Sequence, residues 1–245
     1  MTPASLDKFL GGRLTIRQNV DGYRAGLDAV LLAAAVPAEM GDRILELGSG
    51  AGAASLCLAA RVAAVSITGV EKNGAQVGLA SENALLSGYS GRVSFVCADV
   101  FDMPEHLKRD FAHVFCNPPF HGEEGFAPPL AEKRAALRDE GRLGDWMETG
   151  FRRTASGGAF TAILRADRLR EALERLPERG VAVFPLWPRA GEPAKRVIVQ
   201  ARKASRAAPA LLAGLVLHAA DGSLTPEAEA ILRGGASLAL DSGRL

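Results

Sequence analysis

Four short apolar runs, at residues 44–47, 65–70, 93–97 and 113–116, alternate with segments whose apolar residues recur at helical spacing. A strand buried on both faces and followed by a helix satisfies its backbone most simply beside another strand of the same direction, because the helix supplies the crossover. The alternation therefore predicts an α/β chain with a parallel sheet. Glycine punctuation places the first two crossover helices at 51–61 and 74–86, the second closed by Gly88. Upstream, Asp28 is expected to cap a helix that ends at Pro37. Further strands at 159–164, 182–186 and 196–201, with helices at 144–154 and 167–176, bring the expected sheet to seven mostly parallel strands with helices on both faces.

Residues 118–144 are charged, rich in Gly and Pro, and read as a long, mobile loop of the length usually kept for function. Residues 207–245 read as a hairpin and helix, turning at Asp221-Gly222 and starting the helix at Thr225-Pro226. The expected division is a 1–40 extension with a capping helix, a 41–205 catalytic domain, and a 206–245 extension packed on it. No internal repeat is evident.

With 245 residues, 48% of them hydrophobic, the chain can bury a core that needs neither metal nor cross-link. Cys57, Cys97 and Cys116 lack zinc spacing and read as buried free thiols of a reducing compartment. Residues 1–12 carry no secretory pattern, and the longest apolar stretch, 25–36, contains Asp28 and falls short of the ~20 residues of a membrane span. A soluble, cytoplasmic protein is expected. The net charge of +1 conceals an imbalance: residues 133–206 hold 17 Lys and Arg against 9 Asp and Glu, leaving −7 elsewhere. Such a segment suits a polyanion as well as an ordinary solvated face.

Gly48, Gly50 and Gly52 recur at every second position where the 44–47 strand passes into a helix. Glycine permits that sharp turn and lets a ligand lie against the backbone, although the same spacing also fits a dinucleotide fingerprint. Glu46, two residues earlier, would repel a pyrophosphate and suits an ammonium group, which disfavours a nicotinamide cofactor. Glu71, ending the next strand, can accept both hydroxyls of a ribose, or simply cap the following helix. Asp99, after the third strand, can accept an exocyclic adenine amine while Val100 or Phe101 packs on the ring. Three acids at successive strand ends surround one crevice, the usual ligand site of an open parallel sheet.

After the fourth strand, Asn117-Pro118-Pro119-Phe120 carries the most specific signal. The prolines fix the backbone so that the Asn117 amide and the Pro118 carbonyl converge on one point, where they could hold a planar amine against a stacked Phe120. His121 reads as a solvent-facing loop residue or a substrate contact. His106, His113 and His218 show no metal spacing, so no metal is expected, and Trp146 and Trp187 read as core or interface residues.

The glycine turn, Glu71, Asp99 and Asn117–Phe120, together with residues 22–32, resemble the class I S-adenosylmethionine-dependent methyltransferases, and among them the "small" group. The layout is most similar to the bacterial family that N6-methylates an adenosine beside the anticodon of a valine tRNA. The resemblance covers residues 14–203 and implies a Rossmann-like class I methyltransferase fold with S-adenosyl-L-methionine as cofactor. It implies that Gly48, Gly50 and Gly52 line the methionine portion, with Glu46 at the ammonium, Glu71 at the ribose and Asp99 with Val100 at the adenine. Asp28 and Asn117 join these cofactor-binding residues. Asn117, Pro118 and Phe120 would position the acceptor amine; such families commonly have Tyr at the last position, and Phe120 keeps the stacking without the hydroxyl.

The expected reaction is N-methylation of a base in RNA, foremost adenine N6 in tRNA, with Lys133, Arg134 and Arg138 on the phosphates. The same tetrapeptide serves guanine N2 in ribosomal RNA, adenine in DNA and the glutamine of release factors. An inactive methyltransferase-like RNA-binding module and a Rossmann dehydrogenase are the readings from other classes. Expected partners are RNA and no membrane, in a monomer or a homodimer.

Overall fold

The computed structural model describes residues 4–20, 24–119 and 142–240. It opens with an antiparallel hairpin, β1 (Ala4–Phe9) and β2 (Leu14–Asn19), and then α1 (Leu27–Ala35). The crossover units follow as β3 (Arg43–Leu47), α2 (Ala53–Arg61), β4 (Ser66–Glu71), α3 (Gly74–Leu86), β5 (Val93–Cys97) and β6 (Phe111–Cys116). Beyond them come α4 (Leu143–Arg152), β7 (Thr154–Arg165), α5 (Leu169–Leu173), β8 (Val181–Trp187) and β9 (Arg196–Arg202). The described chain closes with β10 (Ala210–Leu211), β11 (Leu215–Val216) and α6 (Pro226–Leu232).

The sheet runs β10-β8-β9-β7-β6-β3-β4-β5, with β11 also paired to β8. The seven longer strands are those expected, and two-residue strands at the β8 edge bring the sheet to nine. β9 alone runs against its neighbours β7 and β8, since the turn joining β8 to β9 is too short for a crossover helix. Its reversal sends Arg196 to the edge where the parallel strands end and Arg202 to the opposite edge.

Strand alternation divides the core. Ile44 and Phe115 face a cluster with α1, α2, the hairpin and α6, whereas Leu45, Leu47, Val114 and Cys116 face α4 and α5. Alanine-rich α1 and α2 pack together, with Ala29–Ala35 all buried. The fully buried Asn83 of α3 ties β2 into this layer by accepting from Arg17 N at 2.9 Å and donating to Arg17 O at 2.9 Å and Ala51 O at 3.0 Å.

Several details differ from the sequence expectation. The N-terminal segment holds α1 and also a hairpin, whose buried face in β2, Leu14, Ile16 and Gln18, alternates with polar residues and itself ends on one, so no apolar run marks it in the sequence. Gly26, not Asp28, occupies the α1 cap; Asp28 sits in the first turn, where a carboxylate complements the helix dipole. Cys97 is exposed, because β5 is the sheet edge, while Cys57 and Cys116 are buried and burial keeps their thiols protonated. The 167–176 helix is a 3-10 turn followed by the five-residue α5. In the C-terminal part, Asp221-Gly222 turns the chain and Thr225 caps α6 as expected, yet β10 and β11 extend β8 in parallel and do not pair with each other. Among the described residues no helix is long and apolar enough to cross a membrane.

Gly150 lets α4 lie directly on β7: a Cβ there would stand 2.1 Å from the Phe160 ring. Gly150→Ala should therefore lower stability by about 1–3 kcal/mol, the scale of overpacking, despite alanine's better helix propensity. Urea unfolding followed by circular dichroism checks the sign.

Candidate functional site

The ends of β3, β4, β5 and β6 form one edge, in register through Leu47 beside Val70 and Cys116, and Glu71 beside Cys97. The glycine turn rises from the centre of that edge. Gly48 N and Ser49 N both donate to Val70 O, at 2.8 and 3.1 Å, and Gly50 N donates to Glu71 Oε2 at 3.0 Å. Asn73 N donates to Glu71 Oε1 at 2.9 Å, so one carboxylate holds the turn and the entry to α3 together while each oxygen retains accepting capacity.

All three glycines have positive φ, but for different surroundings. A Cβ on Gly48 would meet the Trp146 ring at 2.8 Å, and one on Gly52 would meet Phe95 at 2.6 Å. Around Gly50 no described residue lies within 4 Å of that position. The outer two are therefore demanded by packing, and the middle one leaves backbone that no described side chain covers.

Glu46 lies beneath the turn and is only 3% exposed. Its Oε2 accepts from Ser55 N at 3.2 Å and from the Ser55 hydroxyl. Burial raises its pKa to about 8, opposed by the two Ser55 hydrogen bonds and aided by the Glu71 charge. Ser49 Oγ is buried without a hydrogen-bond partner among the described residues.

On the β5 side, exposed Asp99 accepts from Phe101 N at 2.8 Å, which fixes the loop that follows the strand. Val100 is buried in the α4 cluster, whereas Phe101 is half-buried, with the Trp146 ring edge-on at 5.7 Å and the Arg142 guanidinium 3.6 Å from its centroid. Arg142 is itself paired with Asp145 at 3.0 Å. On the β6 side, the Asn117 side-chain oxygen is buried directly after the strand, and Pro118 is buried beside it. Asp28 lies farther along, joined to Arg196 at 3.1 Å.

Glu71, Asp99, Asn117 and the glycines thus share one edge of the sheet. Glu46 lies under that edge, and Asp28 reaches it through Arg196 at the start of β9. Phe120, His121, Lys133, Arg134 and Arg138 lie outside the described residues. Trp146, Arg142 and Ser55 carry parts of the site that the sequence reading did not assign to it. Trp146 repeats with Leu143, Met147 and Gly150 at helical core spacing, and only the packing of α4 on the sheet brings its ring to Gly48.

The model of the methyltransferase small domain matches residues 24–144. A tRNA1(Val) (adenine(37)-N6)-methyltransferase from Yersinia enterocolitica is 30% identical over 197 residues, covering 78% of this chain and 69% of that protein. The chain belongs to the small-domain methyltransferases. A Shewanella amazonensis protein of the same description is 35% identical over 132 residues, so that match spans 51% of this methyltransferase and about half, 54%, of the relative. Among solved structures, a predicted O-methyltransferase from Agrobacterium tumefaciens is 29% identical, with a TM-score of 0.72 over 86% of this chain and 98% of that one. S-adenosylmethionine is the cofactor of this class, and among the described residues the site suits it: backbone left uncovered at Gly50, the buried hydroxyl of Ser49 without a partner, and carboxylates at two neighbouring strand ends.

The buried Glu46 predicts a pH dependence. Its folded pKa lies above the ordinary carboxyl value of 4.5, so its stabilising share is complete below 4.5 and is lost as pH rises to about 8. Glu46→Gln removes that titration. The difference in urea midpoint between variant and wild type should shift in favour of the variant from pH 5 to pH 9, whatever its value at pH 5.

Proposed function

We propose that this methyltransferase transfers a methyl group to the exocyclic amine of a base in RNA, adenine N6 in a tRNA. The observation that carries the reading is Asn117 followed by two prolines at the end of β6, on the same edge as the glycine turn and one strand away from it. The names of the Yersinia and Shewanella relatives support the choice of base and of tRNA.

Gly48 and Gly50 line the methionine portion of the cofactor, Glu71 accepts from the ribose, and Asp99 faces the adenine. When bound, S-adenosylmethionine supplies an electrophilic methyl group. Asn117, through its side-chain oxygen, and Pro118, through its carbonyl, accept the two N–H groups of the substrate amine. That geometry turns the nitrogen lone pair out of conjugation and toward the donor. No strong base is required, because the amine becomes acidic only as the new N–C bond forms and its proton can pass to water. Rate then comes from alignment and from exclusion of solvent. Phe120 stacks on the extruded base, and Lys133, Arg134 and Arg138 meet phosphates.

Two variants separate holding the donor from orienting the acceptor. Glu71→Ala should weaken S-adenosylhomocysteine binding by about 1–3 kcal/mol in calorimetry, the scale for losing a charged acceptor. Asn117→Ala should abolish methyl transfer while keeping that affinity within about twofold. Parallel assays with labelled donor and purified tRNA, ribosomal RNA, duplex DNA or release factor test the substrate: transfer to release factor alone, or to none of the four, defeats the reading.

A further inference from the structure

The reversal of β9 separates the basic segment into two groups with different chemistry. Near the reaction edge and around α5, arginines are neutralised by acids: Arg142 by Asp145, Arg168 by Glu171, Arg175 by Glu148, Arg189 by Glu192, Arg196 by Asp28. At the opposite edge stand Arg152, Arg153, Arg179, Arg202, Lys203 and Arg206, and none of these six makes an ion pair among the described residues.

Backbone bonding holds the six together. Lys203 Nζ donates to Arg152 O at 3.0 Å and to Thr154 O at 2.6 Å, and Arg179 Nη1 donates to Arg206 O at 3.1 Å. Arg202 N donates to Gly180 O at 2.8 Å and its guanidinium to Gly157 O at 3.3 Å. Carbonyls satisfy hydrogen-bonding capacity without cancelling charge, so the positive field of the group remains. Arg152, Arg179 and Arg206 expose their side chains, and Arg153 Nε is buried with no acceptor among the described residues. Asp110 and Glu178 stand next to these elements in the chain and Asp42 meets the same edge through His113 at 3.3 Å, too few to balance six cations. Six like charges gathered at one edge, in a segment whose arginines near the other edge pair with acids, make there a surface for a polyanion.

Resting on the RNA reading above, we propose that this edge is a second docking surface for the phosphodiester backbone of the same folded RNA. The seven residues of β9 separate it from the reaction edge by about 20 Å at the usual rise of a strand. A stem–loop shorter than that span, with its base delivered to Asn117, would not reach the second surface. An RNA carrying a further helical arm would.

The test compares wild type with the triple variant Arg152→Gln, Arg179→Gln, Arg206→Gln, using full-length tRNA and a short stem–loop cut from around its methylated base. For full-length tRNA, KM should rise several-fold, kcat should hold, and the log–log salt dependence of binding should become shallower by about 2, at roughly 0.7–0.9 for each phosphate that is no longer neutralised. For the stem–loop, KM and salt slope should match wild type. An unchanged slope and KM on full-length tRNA, with wild type active on it, overturns the second surface and leaves the RNA reading intact. Equal weakening on both RNAs overturns its remoteness from the base. Failure of wild type to methylate any RNA overturns the RNA reading and this inference together.

Discussion

The attachment of the glycine turn to the end of β4 is the constraint on which the site depends. Two turn amides share the Val70 carbonyl, and a third is held by the Glu71 carboxylate, so the loop cannot shift without breaking into β4. The same carboxylate fixes the amide of Asn73, whose side chain caps α3. A residue suited to a ribose is thereby also the joint between the turn and the next helix. Bonds within the chain therefore hold the edge at which the donor is proposed to bind.

Close packing around the turn has the same effect from below. Gly52 and Gly69 both admit the Phe95 ring, and Gly48 admits Trp146 from the other face of the sheet. Trp146 in turn meets Phe101, whose ring is covered by Arg142, so the second core reaches continuously from α4 to the loop after β5. Glu46 is the exception in this apolar setting. Among the described residues Ser55 is the partner that compensates its burial, and burial raises its pKa to about 8 under the very turn that it supports.

Charge is distributed with comparable economy. The composition of residues 133–206 records a surplus of cations but not where they act. In the fold, several arginines beside the crevice are cancelled by acids, while the edge remote from it keeps its charge. A net value for the segment averages over these two environments, and the direction of a single strand, β9, separates them.

Much of this architecture was legible in the chain. The alternation of apolar runs with helical spacing dictated the parallel sheet, because burial on two faces and a helical crossover admit few other arrangements, and the order of Gly48, Gly50, Glu71, Asp99 and Asn117 placed them at strand ends. These are local signals, each written in fewer than about fifteen residues. The hairpin ahead of α1 was not legible, since β2 alternates buried with exposed polar residues and neither β1 nor β2 holds an apolar run, and the two-residue strands beside β8 acquire their pairing only from the sheet that they meet. Nor could the sequence distinguish the glycines required by Phe95 and Trp146 from Gly50, which meets no such neighbour among the described residues, or know that Glu46 would be buried against Ser55. Those facts depend on contacts between residues far apart in the chain. Such contacts exist only once the layers have packed.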